Sequence, residues 1–305
     1  MSSAVQVLPT QEQRRERGPG SEATFATLGY FRRNPSFLIG MIFLFALLAF
    51  VGIGHLTVDT VQSRPLSVMP LQPPSRELPF GSDKQGRNLY AVMVEGTPLT
   101  LRIGLLAGVF GVAFGAVLGF VSGYYGGVVD NVIRVVVDVG LTIPGLLILI
   151  TLGMRVREGL TVNQMALIVA ALAWLYPART IRSQVLTMKQ RGYVQIARLS
   201  GLSGPEVIFR ELMPNLLPYL AASLVAAVSA AVLAAIGLEV LGLGPFEAPT
   251  LGMTIYWINY NAAIINGWWW WWVPPIVVIG ILFTGLFLVA VGLDEIANPR
   301  VRNRV

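Results

Sequence analysis

Repeated runs of about 20 apolar residues are the feature that most restricts how this chain can fold. A run of that length is what an α-helix needs to cross the hydrocarbon core of a bilayer. Hydrophobic residues make up 54% of the 305-residue chain and charged residues only 12%, whereas soluble domains carry about a quarter charged residues. The sequence therefore predicts an all-α polytopic membrane protein.

Six such runs can be placed along the chain as predicted spans. They lie at Ser36–Ile53, about Thr100–Ser122, about Val128–Leu152, about Asn163–Pro177, about Leu216–Leu238, and from Trp268 to about Gly292. Most Lys and Arg residues lie in the N-terminal tail, in the loop between the fourth and fifth spans, and in the C-terminal tail. The positive-inside rule therefore predicts that these segments, and with them both termini, are cytoplasmic.

The spans divide the chain into four parts. Residues 1–34 are polar and are predicted to form a cytoplasmic tail rather than a cleavable signal peptide. Residues 35–98 hold the first span and a proline-rich external segment. Residues 99–293 form the transmembrane core, with a cytoplasmic loop at 187–215, and residues 294–305 are a cytoplasmic tail.

Glycines recur at three- and four-residue spacing along the second predicted span. This spacing places them on one helix face, where the lack of a side chain lets another helix approach closely. They are Gly104, Gly108, Gly111, Gly115 and Gly119.

The sequence offers little for catalysis. There is no Cys, and the single histidine, His55, cannot form a metal cluster by itself. The segment Gly81–Asn88 has two glycines at phosphate-loop spacing, but it lacks the Lys-Ser/Thr pair that reaches phosphate and Mg²⁺. We therefore expect no enzyme activity, bound cofactor or metal in this chain, and any work it does must draw energy from a partner.

The polar segment Tyr193–Pro218 lies between two predicted spans. Gly201 can adopt the left-handed conformation that ends a helix, and Ser203 with Glu206 makes an S-x-x-E capping box that begins another. Pro214 is predicted to end that second helix. Two short helices joined by a glycine turn would form a compact docking element for a cytoplasmic partner. The alternative is an ordinary interfacial loop without a partner.

Three ionisable residues follow one another at four-residue spacing in the third predicted span: Asp130, Arg134 and Asp138. Ionisable groups within a bilayer usually face a bundle interior or a cavity, which makes these three candidates for holding or gating the cytoplasmic end of a pathway. The alternative is a structural ladder in which Arg134 neutralises the two aspartates along the helix.

Five consecutive tryptophans, Trp268 to Trp272, begin the sixth predicted span. Consecutive residues point all round a helix, so the favoured interpretation is an aromatic belt at the outer membrane interface. The alternative is that Trp268, Trp269 or Trp272 face an external entrance and stack on the sugar rings of an oligosaccharide.

The polar segment resembles the cytoplasmic signature loop of binding-protein-dependent ABC importer permeases. In that family a Glu-Ala-Ala triplet is followed by a glycine and, later, by a proline. Here the pattern stands as Gln195-Ile196-Ala197, Gly201 and Leu212-Met213-Pro214, with Gln195 and Ile196 replacing the Glu and the first Ala.

Further segments, in the same order along the chain, are similar to the dipeptide/oligopeptide permease family, specifically to the second of its two paired permeases. They are Phe80–Asn88, Gly123–Asp130, Arg134 with Asp138 before Ile143-Pro144, Leu241–Gly244 and Asn298–Arg300. The resemblance implies a type I ABC importer permease fold. It also implies a complex of two permeases, two cytoplasmic ATPases that bind ATP and Mg²⁺, and an external substrate-binding protein. The candidate residues for ATPase coupling are Gln195, Ala197, Gly201 and Pro214, which stand at positions of the family motif, together with Tyr193, Arg198, Ser203 and Glu206 of the same segment.

Departures from the family pattern lie toward the external face. Ala235 stands where the family usually has an acidic residue, Glu239 where it often has Ser, and Leu251 where Trp is common. Glu239 is thus a further candidate for the pathway. The identity of the cargo stays open. The resemblance favours import of di- or oligopeptides across a prokaryotic inner membrane by alternating access. Gluco-oligosaccharides such as cello-oligosaccharides are the alternative cargo, and a stand-alone facilitator or a membrane scaffold are the competing functions.

Overall fold

The computed structural model describes residues 34–156 and 159–297. Apart from Asn34, the predicted N-terminal tail lies outside these residues, as does the Asn298–Arg300 segment. The described part is built of helices, which we number α1 to α10. They are α1 Pro35–Thr57, α2 Leu89–Tyr125, α3 Gly127–Thr142, α4 Gly145–Gly153, α5 Val162–Ala173, α6 Leu175–Met188, α7 Gly192–Leu199, α8 Gly204–Val240, α9 Leu251–Tyr260 and α10 Trp269–Ala297.

Five segments of the described chain are long and apolar enough to span a membrane: α1, α2, α5 with α6, α8 and α10. Helices α3 and α4 make a sixth if the pair is counted as one span bent by 83°. The prediction of an all-α polytopic membrane protein is confirmed, and the third predicted span, Val128–Leu152, is divided into α3 and α4. The bend follows from Pro144, because a residue before proline avoids the helical region and Ile143 is extended.

The second span begins eleven residues before its predicted start at Thr100, because α2 starts at Leu89. The Asn88 side chain caps this start by accepting a hydrogen bond from the Tyr90 amide at 3.0 Å. Leu89 and the residues that follow it are buried, so this first part of the helix is fixed by packing. The external segment therefore ends at Asn88 rather than at Pro98, which lies inside the helix.

Helix α2 packs against α5, α6 and α8, and α1 packs against α10. The glycine face of α2 makes the closest of these contacts. A Cβ atom added at Gly108 would lie 2.9 Å from the Val228 nitrogen of α8, and one at Gly115 would lie 2.7 Å from the Trp174 carbonyl oxygen beside α6. The expectation that these glycines admit neighbouring helices is confirmed.

Helix α8 runs without a break from the polar segment into the fifth span. Its residues Val207–Leu212 form a π-helical stretch, and Pro214 follows in the α-helical part Met213–Val240. The prediction that Pro214 ends a short helix is therefore wrong. A wider π turn relaxes the usual i−4 hydrogen bonding, which accommodates a proline that lacks an N–H.

The fourth span also extends beyond its predicted end. Pro177 is the third residue of α6. Amide groups in the first turn of a helix commonly have no partner within the helix, so a proline, which lacks an N–H, does not end the span there. Arg179 and Arg182 consequently lie on α6 and not in the loop to which the sequence assigned them. This places two arginines beside α3.

The external segment folds back on the start of α10. Its phosphate-loop-like residues form a buried turn in which Asp83 binds the Arg87 Nε atom at 2.5 Å and accepts a hydrogen bond from the Arg87 amide at 2.9 Å. The Trp270 indole donates to the Ser82 carbonyl at 3.3 Å. The Gly81–Asn88 turn therefore has a structural role, because it binds the start of α10.

Candidate functional site

We use the name docking element for residues Gly192–Leu212, which comprise α7 and the start of α8. Helix α7 ends in a Schellman motif: the Leu202 amide donates to the Ala197 carbonyl at 3.2 Å and the Gly201 amide to the Arg198 carbonyl at 3.1 Å. Gly201 has φ = +87°, a conformation that favours glycine. The predicted helix end at Gly201 is confirmed.

The start of α8 is fixed by the predicted capping box. Glu206 Oε2 accepts hydrogen bonds from the Ser203 amide at 2.9 Å and from the Ser203 hydroxyl at 2.8 Å. The Ser203 side chain in turn accepts from the amide of residue 206. Both ends of the turn between α7 and α8 are therefore held by hydrogen bonds, and the two helices form one rigid unit.

The inner face of the docking element is buried against the bundle. Its apolar side chains pack with residues of α2 and α6 in one continuous cluster. The docking element contributes Val194, Val207, Ile208 and Leu212, α2 contributes Phe120 and Tyr124, and α6 contributes Ile181 and Val185. The docking element is therefore packed directly onto two membrane helices.

The outer face of the docking element exposes large apolar side chains beside arginines. Leu199 is 88% exposed, Ile196 is 65% exposed and Phe209 is 64% exposed. Arg198 and Arg210 are exposed beside them. Ile196 and Leu199 are three residues apart and so lie on one face of α7. Neighbouring exposed apolar groups are typical of a protein–protein contact, and arginine is enriched at such contacts.

The predicted coupling residues divide between the two faces. Gln195, Arg198, Gly201, Ser203 and Pro214 are exposed, whereas Ala197 is buried and Glu206 is half-buried in its capping box. Tyr193 lies on the outer face, and partial burial raises its pKa above the usual value. Gln195 and Ile196, which replace the Glu and the first Ala of the family triplet, are both exposed.

A cavity of about 600 Å³ lies between α8 and helices α3 to α6. Its α8 wall is lined mainly by alanines, which are Ala222, Ala226, Ala227, Ala230, Ala231 and Ala234. Polar groups are few: Tyr176, Thr180, Tyr219, Ser223 and Asp294. Among the described residues that line the cavity, Asp294 is the one that carries a charge.

Asp130 does not pair with Arg134, so the structural ladder is wrong. The Asp130 carboxylate binds Arg182 of α6 through two hydrogen bonds, at 2.5 Å from Nε and 2.6 Å from Nη2, and also accepts from the Ser122 hydroxyl. Arg134 donates to Asn131 at 3.3 Å. Helix geometry allowed the ladder, but a bidentate guanidinium contact from a neighbouring helix is stronger than an exposed contact along one helix.

The candidates for the pathway lie in two separate places. Arg134 and Asp138 line a small cleft of about 150 Å³ between α3 and α6, with Arg179 and Arg182 on its other side. Glu239 lies at the far end of α8, where it is fully buried. The structure does not bring these residues together, and none of them lines the cavity of about 600 Å³.

Glu239 contacts the beginning of α9. A Cβ atom added at Gly252 would lie 2.1 Å from Glu239 Oε2, so only glycine leaves room for the carboxyl group there. Glu239 and Gly252 thus fasten α9 to the end of α8.

The tryptophan run packs against the external segment and α9. Trp271 is fully buried, and its ring stacks on Trp268 with centroids 6.0 Å apart. Trp272 belongs to the same cluster, whereas Trp269 is exposed and lines an apolar groove between α1 and α10. The three entrance candidates therefore have different surroundings, and none lies in the cavity between α8 and helices α3 to α6.

Sequence reasoning missed four residues at this end of the bundle: Ser122, Tyr124, Arg182 and Lys189. The Lys189 ammonium donates to the main-chain oxygen of Tyr124, and Ser122 and Arg182 bind Asp130. Tyr124 belongs to the Gly123–Asp130 segment of the family resemblance, but Lys189, which binds it, lies 65 residues further along the chain, where a sequence pattern does not show it.

The fold and the site define a class of protein, a polytopic helical membrane protein in which a rigid surface element packs on α2 and α6, and α6 borders a cavity. Residues 115–303 match the family of binding-protein-dependent transport system inner membrane components. The chain belongs to that family.

Individual relatives agree with this assignment. A probable peptide ABC transporter permease protein, y4tQ, of Sinorhizobium fredii is 35% identical over 61% of this chain and 63% of its own length. The oligopeptide transport system permease protein OppC of Mycobacterium bovis is 26% identical over 57% of this chain and 60% of its own. The matched part thus spans about three fifths of these two relatives. A putative peptide transport system permease protein of Brucella abortus is 27% identical over 93% of this chain and 94% of its own.

Proposed function

We propose that this chain is a permease subunit of an ATP-driven importer in a prokaryotic inner membrane, with both termini in the cytoplasm. Its partners are a second permease, two cytoplasmic ATPases and an external substrate-binding protein. The observation that carries the proposal is the docking element, which is rigid, exposes an apolar face, and is packed onto α2 and α6, of which α6 borders the cavity.

The outer face of the docking element fits a partner with an apolar groove and an acidic rim. Leu199 exposes 88% of its surface, and burial of a leucine is worth roughly 1.5–3 kcal/mol. Arg210 would meet acidic groups around that contact. The arginines of this segment support a cytoplasmic location by the positive-inside rule, which is the side where ATPase subunits lie.

The energy for transport comes from the partners in this proposal. Within the Gly81–Asn88 turn, Asp83 and Arg87 bind each other. ATP and Mg²⁺ are bound by the ATPase subunits. ATP-driven closure of the ATPases moves the docking element and, with it, the packed ends of α2 and α6. A switch between two packed arrangements of the helices then exposes the pathway to one side and afterwards to the other.

Short peptides are the proposed cargo. The relatives from Sinorhizobium fredii, Mycobacterium bovis and Brucella abortus carry peptide or oligopeptide in their names. The alanine-lined cavity has few hydrogen-bonding groups, which suits peptides with varied side chains better than hydroxyl-rich sugars. The tryptophans that suggested sugar stacking pack at the start of α10, away from this cavity.

The docking role is tested by Leu199→Asp in a tagged chain expressed with its partner subunits. We expect this substitution to abolish co-purification of the ATPases, since it places a charge in an apolar contact. Leu66→Asp is the matched control, because Leu66 is also 88% exposed but lies in the external segment. The proposal fails if the Leu199→Asp variant retains the ATPases as well as the control does.

The cargo is tested separately. The external binding protein of the same system is purified with its retained ligand, and that ligand is identified by mass spectrometry. A peptide supports the proposal, and an oligosaccharide of glucose units would replace peptides as the cargo while leaving the importer architecture in place.

A further inference from the structure

Tyr124 lies where four helices of the bundle meet. It is the last but one residue of α2, and only 6% of its surface is exposed. Around it lie the end of α6, the end of α7 and the start of α8. The proposed function assigns it no role, although it belongs to the Gly123–Asp130 segment that carries part of the family resemblance.

Two cations face the Tyr124 ring. The Arg198 guanidinium carbon lies 5.5 Å from the ring centroid, and the Lys189 ammonium lies 5.6 Å from it. Both distances are within the range of cation–π attraction. Arg198 belongs to α7 and Lys189 directly follows α6, so the ring joins these two elements to α2.

The main chain of Tyr124 is also held. The Lys189 ammonium donates a hydrogen bond to the Tyr124 carbonyl oxygen, one of the last four carbonyls of α2, which have no partner within the helix. A positive charge at this place is favoured by the helix dipole. Lys189 therefore contacts both the ring and the backbone of the same residue.

The start of α8 is fitted closely against the same ring. A Cβ atom added at Gly204 would lie 3.0 Å from Tyr124 Cε1 and 2.9 Å from the Tyr125 hydroxyl oxygen. The Tyr125 ring meets the Tyr124 ring edge to face, with centroids 5.2 Å apart. There is thus little free space through which the docking element could move without also moving Tyr124.

From this arrangement we propose that Tyr124 is the positioning residue that transmits movement of the docking element to α2. The inference rests on the proposed function, because it requires an ATPase that moves the docking element. Arg198 reaches the ring from α7 and Gly204 contacts it from α8, so displacement of either helix is passed to the end of α2. Without the ring, the apolar contact between the docking element and α2 would lose Tyr124, and the docking element could shift further before α2 moves.

The test compares Tyr124→Leu with Tyr124→Phe in the complete reconstituted complex. Leucine keeps an apolar side chain and the main-chain carbonyl but removes the ring, whereas phenylalanine keeps the ring. ATP hydrolysis and uptake of a labelled peptide are measured in the same vesicles. We expect Tyr124→Leu to lower peptide uptake per ATP hydrolysed roughly fivefold to tenfold through the loss of both ring–cation contacts. We expect Tyr124→Phe to keep the uptake per ATP of the unaltered complex.

Arg198→Gln is the second variant, since it removes one of the two cations and leaves the buried ring in place. We expect this variant also to lower peptide uptake per ATP hydrolysed. A merely structural role for Tyr124 would reduce the amount of assembled complex, so that hydrolysis and uptake would fall together. An unchanged ratio in both Tyr124→Leu and Arg198→Gln overturns the inference. Failure of the unaltered complex to take up peptide with ATP would instead overturn the proposed function.

Discussion

The contact between Asp130 and Arg182 offers a quantitative test of how α3 is held to α6. Two hydrogen bonds join the charged groups, at 2.5 Å and 2.6 Å, and the side chains are 22% exposed for Arg182 and 14% for Asp130. Breaking a fully buried ion pair costs about 3–5 kcal/mol, whereas an exposed pair contributes about 0–1 kcal/mol. Because both groups keep some access to solvent, we expect a coupling energy of about 2 kcal/mol between them.

A double-mutant cycle measures that coupling. The variants are Asp130→Asn, Arg182→Gln and the two together, and the free energy of unfolding is followed by circular dichroism in detergent micelles. We expect each single substitution to destabilise the chain and the double substitution to cost little more than either, since the contact is lost in every case. The matched control is the same cycle at Glu206 and Arg210, whose charged groups lie 3.8 Å apart on an exposed surface.

The control pair should show much weaker coupling than the pair between α3 and α6. If the two cycles give equal coupling energies, then the bidentate contact does not hold α3 to α6. The orientation of the charged cleft between those helices would then need another cause.

Three further substitutions have definite expected outcomes. Gly201→Val forces a side chain into a left-handed conformation and should destabilise the docking element by about 1–2 kcal/mol. Less ATPase should then co-purify with the chain. Gly192→Ala should have little effect, because a Cβ atom there meets nothing within 4 Å. Gly108→Leu should lower the folded yield in detergent, since α8 backbone atoms lie about 3 Å from the new Cβ position. Gly52→Leu should not lower the folded yield, because Gly52 faces open space. Glu239→Ala should lower the thermal stability by leaving a cavity at the start of α9, and a melting temperature equal to that of the unaltered chain would contradict the role given to this contact.

The parts of the fold that the sequence predicts well depend on local chemistry. The length of the apolar runs is sufficient to predict the membrane class. The left-handed turn at Gly201 and the Ser203–Glu206 box depend on neighbouring residues, and both are found as expected. The glycine face of α2 is also a local pattern, and its contacts with α6 and α8 follow from the lack of side chains there.

The parts that it predicts badly depend on contacts between distant residues. Asp130 has an arginine four residues away, but its partner is Arg182, 52 residues further along the chain. Pro214 would normally end a helix, but a π-helical stretch before it allows α8 to continue. The contacts of Tyr124 with Lys189 and Arg198 likewise form only when α2, α6 and α7 are packed together.

The central claim is that this chain carries cargo only when partner ATPases hydrolyse ATP. Its most direct test is uptake of a labelled peptide by vesicles that contain both permeases, both ATPases and the external binding protein. We expect peptide to accumulate on the ATPase side with ATP, and not with a non-hydrolysable analogue or when the ATPases are omitted. Peptide movement that is equally fast without ATP or ATPases would show a facilitator, and binding without movement would show a scaffold; either result would contradict the account.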